Sequence, residues 1–435
     1  MKISLFQGIL IAVFCLGALV GLFVFATYSG NRSGGSGIGT VIVWGILPKD
    51  GMNAMLTTVA QTDTDIKGIS YVQKDPKTLP SDLAAAIATG AAPDLVLASQ
   101  EELHALAKFI SPIPPRTLPA STFTSTFTDE GGLFTAPNGA GYYGIPFLID
   151  PLILFWNNNI LSSNGIAKPP ATWEALTGLV PNIAILTSTK QITRGLIALG
   201  TYDNVHNARG ILSALFLQTN IPMSAYSSGG VFAANLGVVT SSGVPPGQAV
   251  LGFYTQFADP SKVSYTWNSS LPDSEQAFEA SDLALYLGYA SEARFLAAAN
   301  PNLSFNVAPL PQPATASVKS TYGLVYAFMI PRNAANASGA YQAAALLTNS
   351  AEQTIAANAT GLAPATRNEL ATPPSDPVAA TAYASALYAK GWLSPAPADV
   401  DQVFSSMIQS VVSGRSTLDS ALTRAESSLT SLLQQ

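Results

Sequence analysis

Residues 41 to 109 alternate between two kinds of segment, and this alternation restricts the fold more than any other feature of the chain. Val41-Ile42-Val43-Trp44 is a short β-branched run stopped by Gly45. Met52 to Thr62 follows with helical character, and Ile69-Ser70-Tyr71-Val72 alternates like a strand. Ser81 opens a helix over Asp82 to Thr89 that Gly90 ends. Pro93 precedes a third strand, Leu95 to Ala98, and Glu101 to Phe109 reads as the next helix. Strand and helix in turn build a parallel sheet through right-handed crossovers, so the expected fold class is α/β.

The rest of the chain extends this reading. An apolar run from Leu152 to Trp156 follows Tyr142-Tyr143-Gly144-Ile145-Pro146, and Thr172 caps a helix opening with Trp173. Gly195 to Leu199 and Ala208 to Leu217 are predicted as buried helices. Ser274 to Ala280 is predicted as a helix leading to a strand at Leu283 to Leu287, with further strands at Asn306 to Leu310 and Gly323 to Ile330. Val400, Val403, Phe404, Met407, Ile408 and Val411 form one helical stripe. Leu418, Ala421, Leu422, Ala425, Leu429 and Leu432 form a second, after a Ser413-Gly414 stop.

Charged residues make up only 11% of the 435, against roughly 25% in ordinary soluble domains. That scarcity raises the question of membrane residence. A multi-span protein needs several runs of about 20 apolar residues. The chain has one, Gly8 to Ala26, with Lys2 on its short side. Its length fits an uncleaved anchor better than a signal core, although Val24-Phe25-Ala26 is an acceptable cleavage site. Either reading exports the body. The stretch 29–39 is Gly/Ser-rich and reads as a flexible tether. The body is then expected at the cell membrane, on its extracellular or periplasmic side.

Composition also removes function classes. A net charge of −6 and the lack of a Lys/Arg tract argue against nucleic acid. Cys15 is the single cysteine, so no intramolecular disulfide forms, and with only His104 and His206 the common zinc and haem spacings are missing. No phosphate-cradling G-x-x-x-x-G-K-[ST] and no G-x-S-x-G elbow occurs, and no cofactor is expected. Spacing alone leaves a glycosidase carboxylate pair open.

In open α/β sheets, ligands sit beyond the carboxyl ends of strands. Trp44 ends the first strand, Ser99 and Gln100 follow the third, and Tyr289 and Glu292 follow the strand at Leu283 to Leu287. Tyr322 precedes a strand, Trp267 lies in a turn-like stretch, and Asp150 follows the Ile145-Pro146 segment. Aromatic faces stack on sugar rings while carboxylates and carboxamides bond hydroxyls, so this set suits a carbohydrate.

Several segments, in order, resemble one family. Val41 to Gly45 (VIVWG), Ala88 to Ser99 (ATGAAPDLVLAS), Tyr143 to Asn157 (YGIPFLIDPLILFWN), Gly165 to Leu176 (GIAKPPATWEAL), Phe278 to Tyr289, Val307 to Pro311 (VAPLP), Thr360 to Pro364 and Ser413 to Leu422 (SGRSTLDSAL) are similar to the extracellular solute-binding proteins of bacterial ABC importers, of the maltose-binding type. The resemblance implies a two-lobed fold with hinge crossovers. It places 40–148 with 289–331 in one lobe and 149–288 with 332–435 in the other, behind an anchor at 1–28 and the linker 29–39.

The resemblance further implies a monomeric binding protein and not an enzyme. Its solute, an oligosaccharide, would be delivered to ABC permease subunits by cleft closure. Trp44, Ser99, Gln100, Asp150, Trp267, Tyr289 and Tyr322 fall on matching ligand positions. A surface carbohydrate-active enzyme, or a sensor or adhesin of the same fold, is the alternative. The family's usual lipidation cysteine is missing, and Asp150-Pro151 at the crossover is unusual.

Overall fold

The computed structural model describes residues 37–226, 231–238 and 245–435. The apolar run Gly8 to Ala26, Cys15 and most of the expected tether lie outside the described residues. The tether's last residues do not hang free. Ile38 is buried, and its carbonyl accepts from the Asn336 side chain at 2.9 Å. Among the described residues no helix is long and apolar enough to cross a membrane.

The expected alternation is present. β1 (Val41–Gly45) lies parallel to both β2 (Ile69–Gln73) and β3 (Leu95–Ser99), with α1 (Lys49–Val59) and α2 (Leu79–Thr89) as crossovers. β3 is buried along its whole length, which is why it reads as a continuous apolar run rather than an alternating one.

The centre of the molecule is β4 (Gly144–Asn157), fourteen residues, every one buried. Typical strands run to about six residues. β4 is longer because it serves both lobes. Its first part pairs antiparallel with β8 (Thr321–Met329), from Gly144 opposite Met329 to Pro151 opposite Gly323, and β8 also pairs with β3. Its second part pairs with β6 (Leu283–Tyr289) and with β7 (Phe305–Pro309), from Leu152 to Asn157. β6 in turn lies parallel to β5 (Ile192–Ile197). Proline carries no N–H, and mid-strand it deletes a ladder bond. Pro151 stands where β4 passes from one set of partners to the other, so little pairing is lost there.

Two expectations need correction. The run at Gly195 to Leu199, expected as a helix, falls largely in β5, a strand flanked by β6 and by the short strand Ile185–Leu186, its last residues buried. Periodicity cannot separate such a strand from a buried helix. The second correction concerns the lobes. Helices Ala337–Leu347 and Ser350–Thr360 pack on β1 and α1, and Ala363–Pro364 pairs with Ile149 and Leu148. That part of 332–435 stands with the first lobe. The expectation failed because amphipathic helices reveal a buried face but not which sheet covers it. The C-terminal helices α5 (Pro397–Val412) and α6 (Leu418–Leu433) do pack together as the stripes predict.

Candidate functional site

Buried polar and charged side chains gather where β4 changes partners. The Asp150 carboxylate accepts from the Ser291 N–H (3.1 Å) and hydroxyl (2.6 Å), tying the crossing strand to the turn that follows β6. Burial pushes the Asp150 carboxyl up to about 7, and the two Ser291 bonds only partly oppose it.

The first lobe contributes the start of α3 (Gln100–Leu106). Ser99-Gln100-Glu101-Glu102 forms a capping box. The Glu101 N–H donates to the Ser99 hydroxyl oxygen (3.1 Å), and the Glu102 carboxylate accepts from the Ser99 N–H (2.9 Å) and hydroxyl (2.7 Å). Burial, and next the neighbouring Glu101 charge, push the Glu102 carboxyl up to about 7. Gln100 is fully buried and docks on β8, its amide donating to the Gly323 carbonyl (2.9 Å) and accepting from the Val325 N–H (2.8 Å).

Glu101 faces the second lobe. Its carboxylate accepts from the Arg209 guanidinium through Nε (3.2 Å) and Nη2 (2.9 Å), and from the Tyr322 hydroxyl. Arg209 lies in the first turn of α4 (Ala208–Leu217), and its Nη1 donates to Asp401 of α5 at 2.6 Å. A planar guanidinium held by a carboxylate fork is the strong form of such a bond. Burial works against the Arg209 charge, and Glu101 and Asp401 overcome it, holding the group protonated well above its ordinary value. A Cβ on Gly210 would stand 2.6 Å from the Tyr289 hydroxyl oxygen, so glycine there lets Tyr289 approach α4 beside Arg209.

Glu292 accepts from the Tyr286 hydroxyl and from the Asn207 amide at 3.0 Å. His206 and Glu275 bring ligand atoms within 4.8 Å of Glu292, a spacing that could hold a metal ion. Glu292 is already engaged by Tyr286 and Asn207, and His206 Nδ1 stands 3.7 Å from both Asp273 and Glu275.

The structure thus brings Gln100, Asp150, Tyr289, Glu292 and Tyr322 to one region, with Ser99 beneath it as a helix cap. Trp44 and Trp267 are set apart. Trp44 is half-buried under the Lys74 ammonium, 3.8 Å from its ring centroid. Trp267 is 1% exposed and packs against Gly195 in the second-lobe core. Both stand outside the group because a strand end or turn in sequence does not say which wall the side chain joins. Sequence reasoning missed Glu101, Arg209 and Asp401. One signal existed: Arg209 is the only Lys, Arg, Asp or Glu between Asp203 and Asp259.

Chemically the arrangement is a buried set of carboxylates, phenols, an amide and one guanidinium contributed from both lobes. Such groups bond hydroxyls and orient a polar ligand.

Comparison with known proteins agrees with this architecture. The profile of a family described as bacterial extracellular solute-binding protein matches residues 56–385. No curated protein matches the sequence. Among solved structures, the cyclic alpha-maltosyl-1,6-maltose binding protein from Arthrobacter globiformis is 18% identical, with a TM-score of 0.73 over 91% of this chain and 99% of its own. A cyclo/maltodextrin-binding protein complexed with maltotetraose is 16% identical, with a TM-score of 0.70 over 93% and 99%. The sugar-binding protein MalE from Xanthomonas citri is 16% identical, with a TM-score of 0.70 over 91% and 97%. At these identities the likeness establishes the two-lobed α/β fold of periplasmic binding proteins. The profile match covers most of the sequence, and the chain belongs to the bacterial extracellular solute-binding protein family.

Proposed function

We propose that this protein captures an oligosaccharide between its lobes and delivers it to an ABC-type importer, acting as a binding protein and not as an enzyme. The observation that carries the reading is the polar group at the lobe junction, in which Arg209 of the second lobe meets Glu101 of the first. A solute that bonds hydroxyl groups to both sides favours the arrangement in which both sides reach it. The names of the similar structures, which are maltodextrin- and sugar-binding proteins, support the sugar class. Gln100, Asp150, Tyr289, Glu292 and Tyr322 are the ligand-facing set in this proposal, joined by Glu101 and Arg209. The run Gly8 to Ala26 serves as the anchor that keeps the body beside its permease, which N-terminal sequencing of the mature protein tests.

A thermal-shift screen against oligosaccharides, amino acids, polyamines and glycerol phosphates tests the solute. A sugar at a thousandfold excess over its Kd stabilises the fold by about 4 kcal/mol. Stabilisation by a non-sugar alone would sink the sugar assignment.

A further inference from the structure

Between α5 and α6 lies a cavity of about 700 Å³. Arg415, from the turn that joins the two helices, and Arg424 of α6 both line it, and no carboxylate does. In a chain with so few charges, two cations on one wall stand out. The rest of the wall is mainly hydroxyl and amide, with Ser406, Gln409 and Ser410 from α5 and Ser428 from α6. Neither arginine is buried, so both charges are reached from solvent.

The two guanidiniums are held but not neutralised. Arg415 Nε donates to the Ser413 hydroxyl oxygen at 2.8 Å, and Arg424 Nη2 donates to that of Ser416. Ser416 is the chain neighbour of Arg415, so both groups share one end of the cavity. A guanidinium carries five N–H donors, and one bond apiece leaves most of them available. Among the described residues neither pairs with a carboxylate, whereas Arg209 and Arg367 do. The nearby acids are turned elsewhere. Asp401 is taken by Arg209 and Tyr202, Asp419 by the Gln248 amide at 2.7 Å, and Glu426 by the Gly237 N–H. Asp203 accepts from Ser405 at 2.9 Å and Gln409 at 2.8 Å and is not part of the cavity wall. Asp399 stands in the first turn of α5, at the opposite end from Arg415.

We propose that this groove binds the phosphate monoester of a sugar or polyol, its phosphate between Arg415 and Arg424 and its hydroxyls against Ser406, Gln409, Ser410 and Ser428. Two like charges at one end of a cavity repel each other, and a shared anion removes that repulsion. A guanidinium fork matches phosphate oxygens two at a time. Bare phosphate would leave most of the volume to water, while the serine and glutamine side chains both donate to and accept from hydroxyls. The groove is separate from the solute site, since Asp401, the α5 residue that meets Arg209, does not line it.

Isothermal titration of the full chain with glucose-6-phosphate tests the site, with inorganic phosphate, glucose and sodium chloride as controls. Glucose-6-phosphate is expected to bind the wild type more tightly than inorganic phosphate does, and to weaken about tenfold in Arg415→Gln and in Arg424→Gln. Ser406→Trp, which fills the groove and keeps both guanidiniums, should weaken it as much. Binding should also fall as sodium chloride is raised, because the charges are exposed. Affinity for an oligosaccharide found in the solute screen should be unchanged in all three variants, so either site can fail without the other. Absence of glucose-6-phosphate binding at about 10 mM overturns the proposal. So does equal binding to wild type and variants, or binding of inorganic phosphate or glucose as tight as that of the sugar phosphate.

Discussion

Glu101 and Glu130 are both in the first lobe and are equally buried, each 4% exposed, yet their surroundings are opposite. Glu101 has a guanidinium fork and a phenol on its oxygens. Glu130 has two glycines beside its oxygens and no donor. Burial by itself therefore says little about a carboxylate. At Glu101 the partner charge comes from the other lobe, which makes the group a joint between the lobes. At Glu130 no partner is supplied, so the group stays a cost to the fold.

The contrast breaks most visibly at Arg209. Arg209→Met leaves Glu101 buried without its counter-charge and should destabilise the protein by about 3–5 kcal/mol, measured by denaturant unfolding. Adding Glu101→Gln should recover much of that loss. If the single variant is as stable as wild type, the joint carries no weight.

Acid–base behaviour gives the next effect. Asp150 and Glu102 both have carboxyls raised to about 7 in the folded state, above their ordinary values near 4. A raised carboxyl favours the protonated folded form. Its contribution is complete below the unfolded pKa and is lost as pH rises through the folded one. Stability should therefore fall between about pH 4 and 7, and Asp150→Asn should flatten part of the slope in unfolding curves taken across that window. An equally steep slope in the variant would remove Asp150 from the account.

The smallest effect falls on the other side of the comparison. Glu130→Met replaces an unpartnered carboxyl by an apolar group of similar length and should stabilise the protein by about 1 kcal/mol, read as a rise in Tm. A loss of stability comparable to that of Arg209→Met would mean that Glu130 is paired after all.

Local rules account for how much of this was visible in sequence. β1, β2 and β3, the helices between them and the C-terminal stripes are written in periodicity and turn residues, so they were legible. The signature Ser99-x-x-Glu102 was also legible as a cap, although Ser99 and Gln100 were read for ligand contact. β5 was misread because a strand flanked by neighbours and largely buried has no alternation to show. The site divides the same way. Tyr289 and Tyr322 sit at strand ends, a position that sequence can single out, whereas Asp150 lies in the middle of β4. Arg209 finds Glu101 across 108 positions and Asp401 across 192, and no local pattern encodes such a meeting.

The length of β4 has a consequence for how the chain acquires its shape. Its first part pairs with β8 and with Ala363–Pro364, which are synthesised long after it. The second part waits for β6 and β7. Neither half of the sheet is complete when the first half of the chain leaves the ribosome, and pairings this distant in sequence form slowly. The two lobes therefore cannot mature one after the other as beads on a string. A nascent chain in this state stays open until its last third arrives, a condition that suits passage through a narrow export channel before folding.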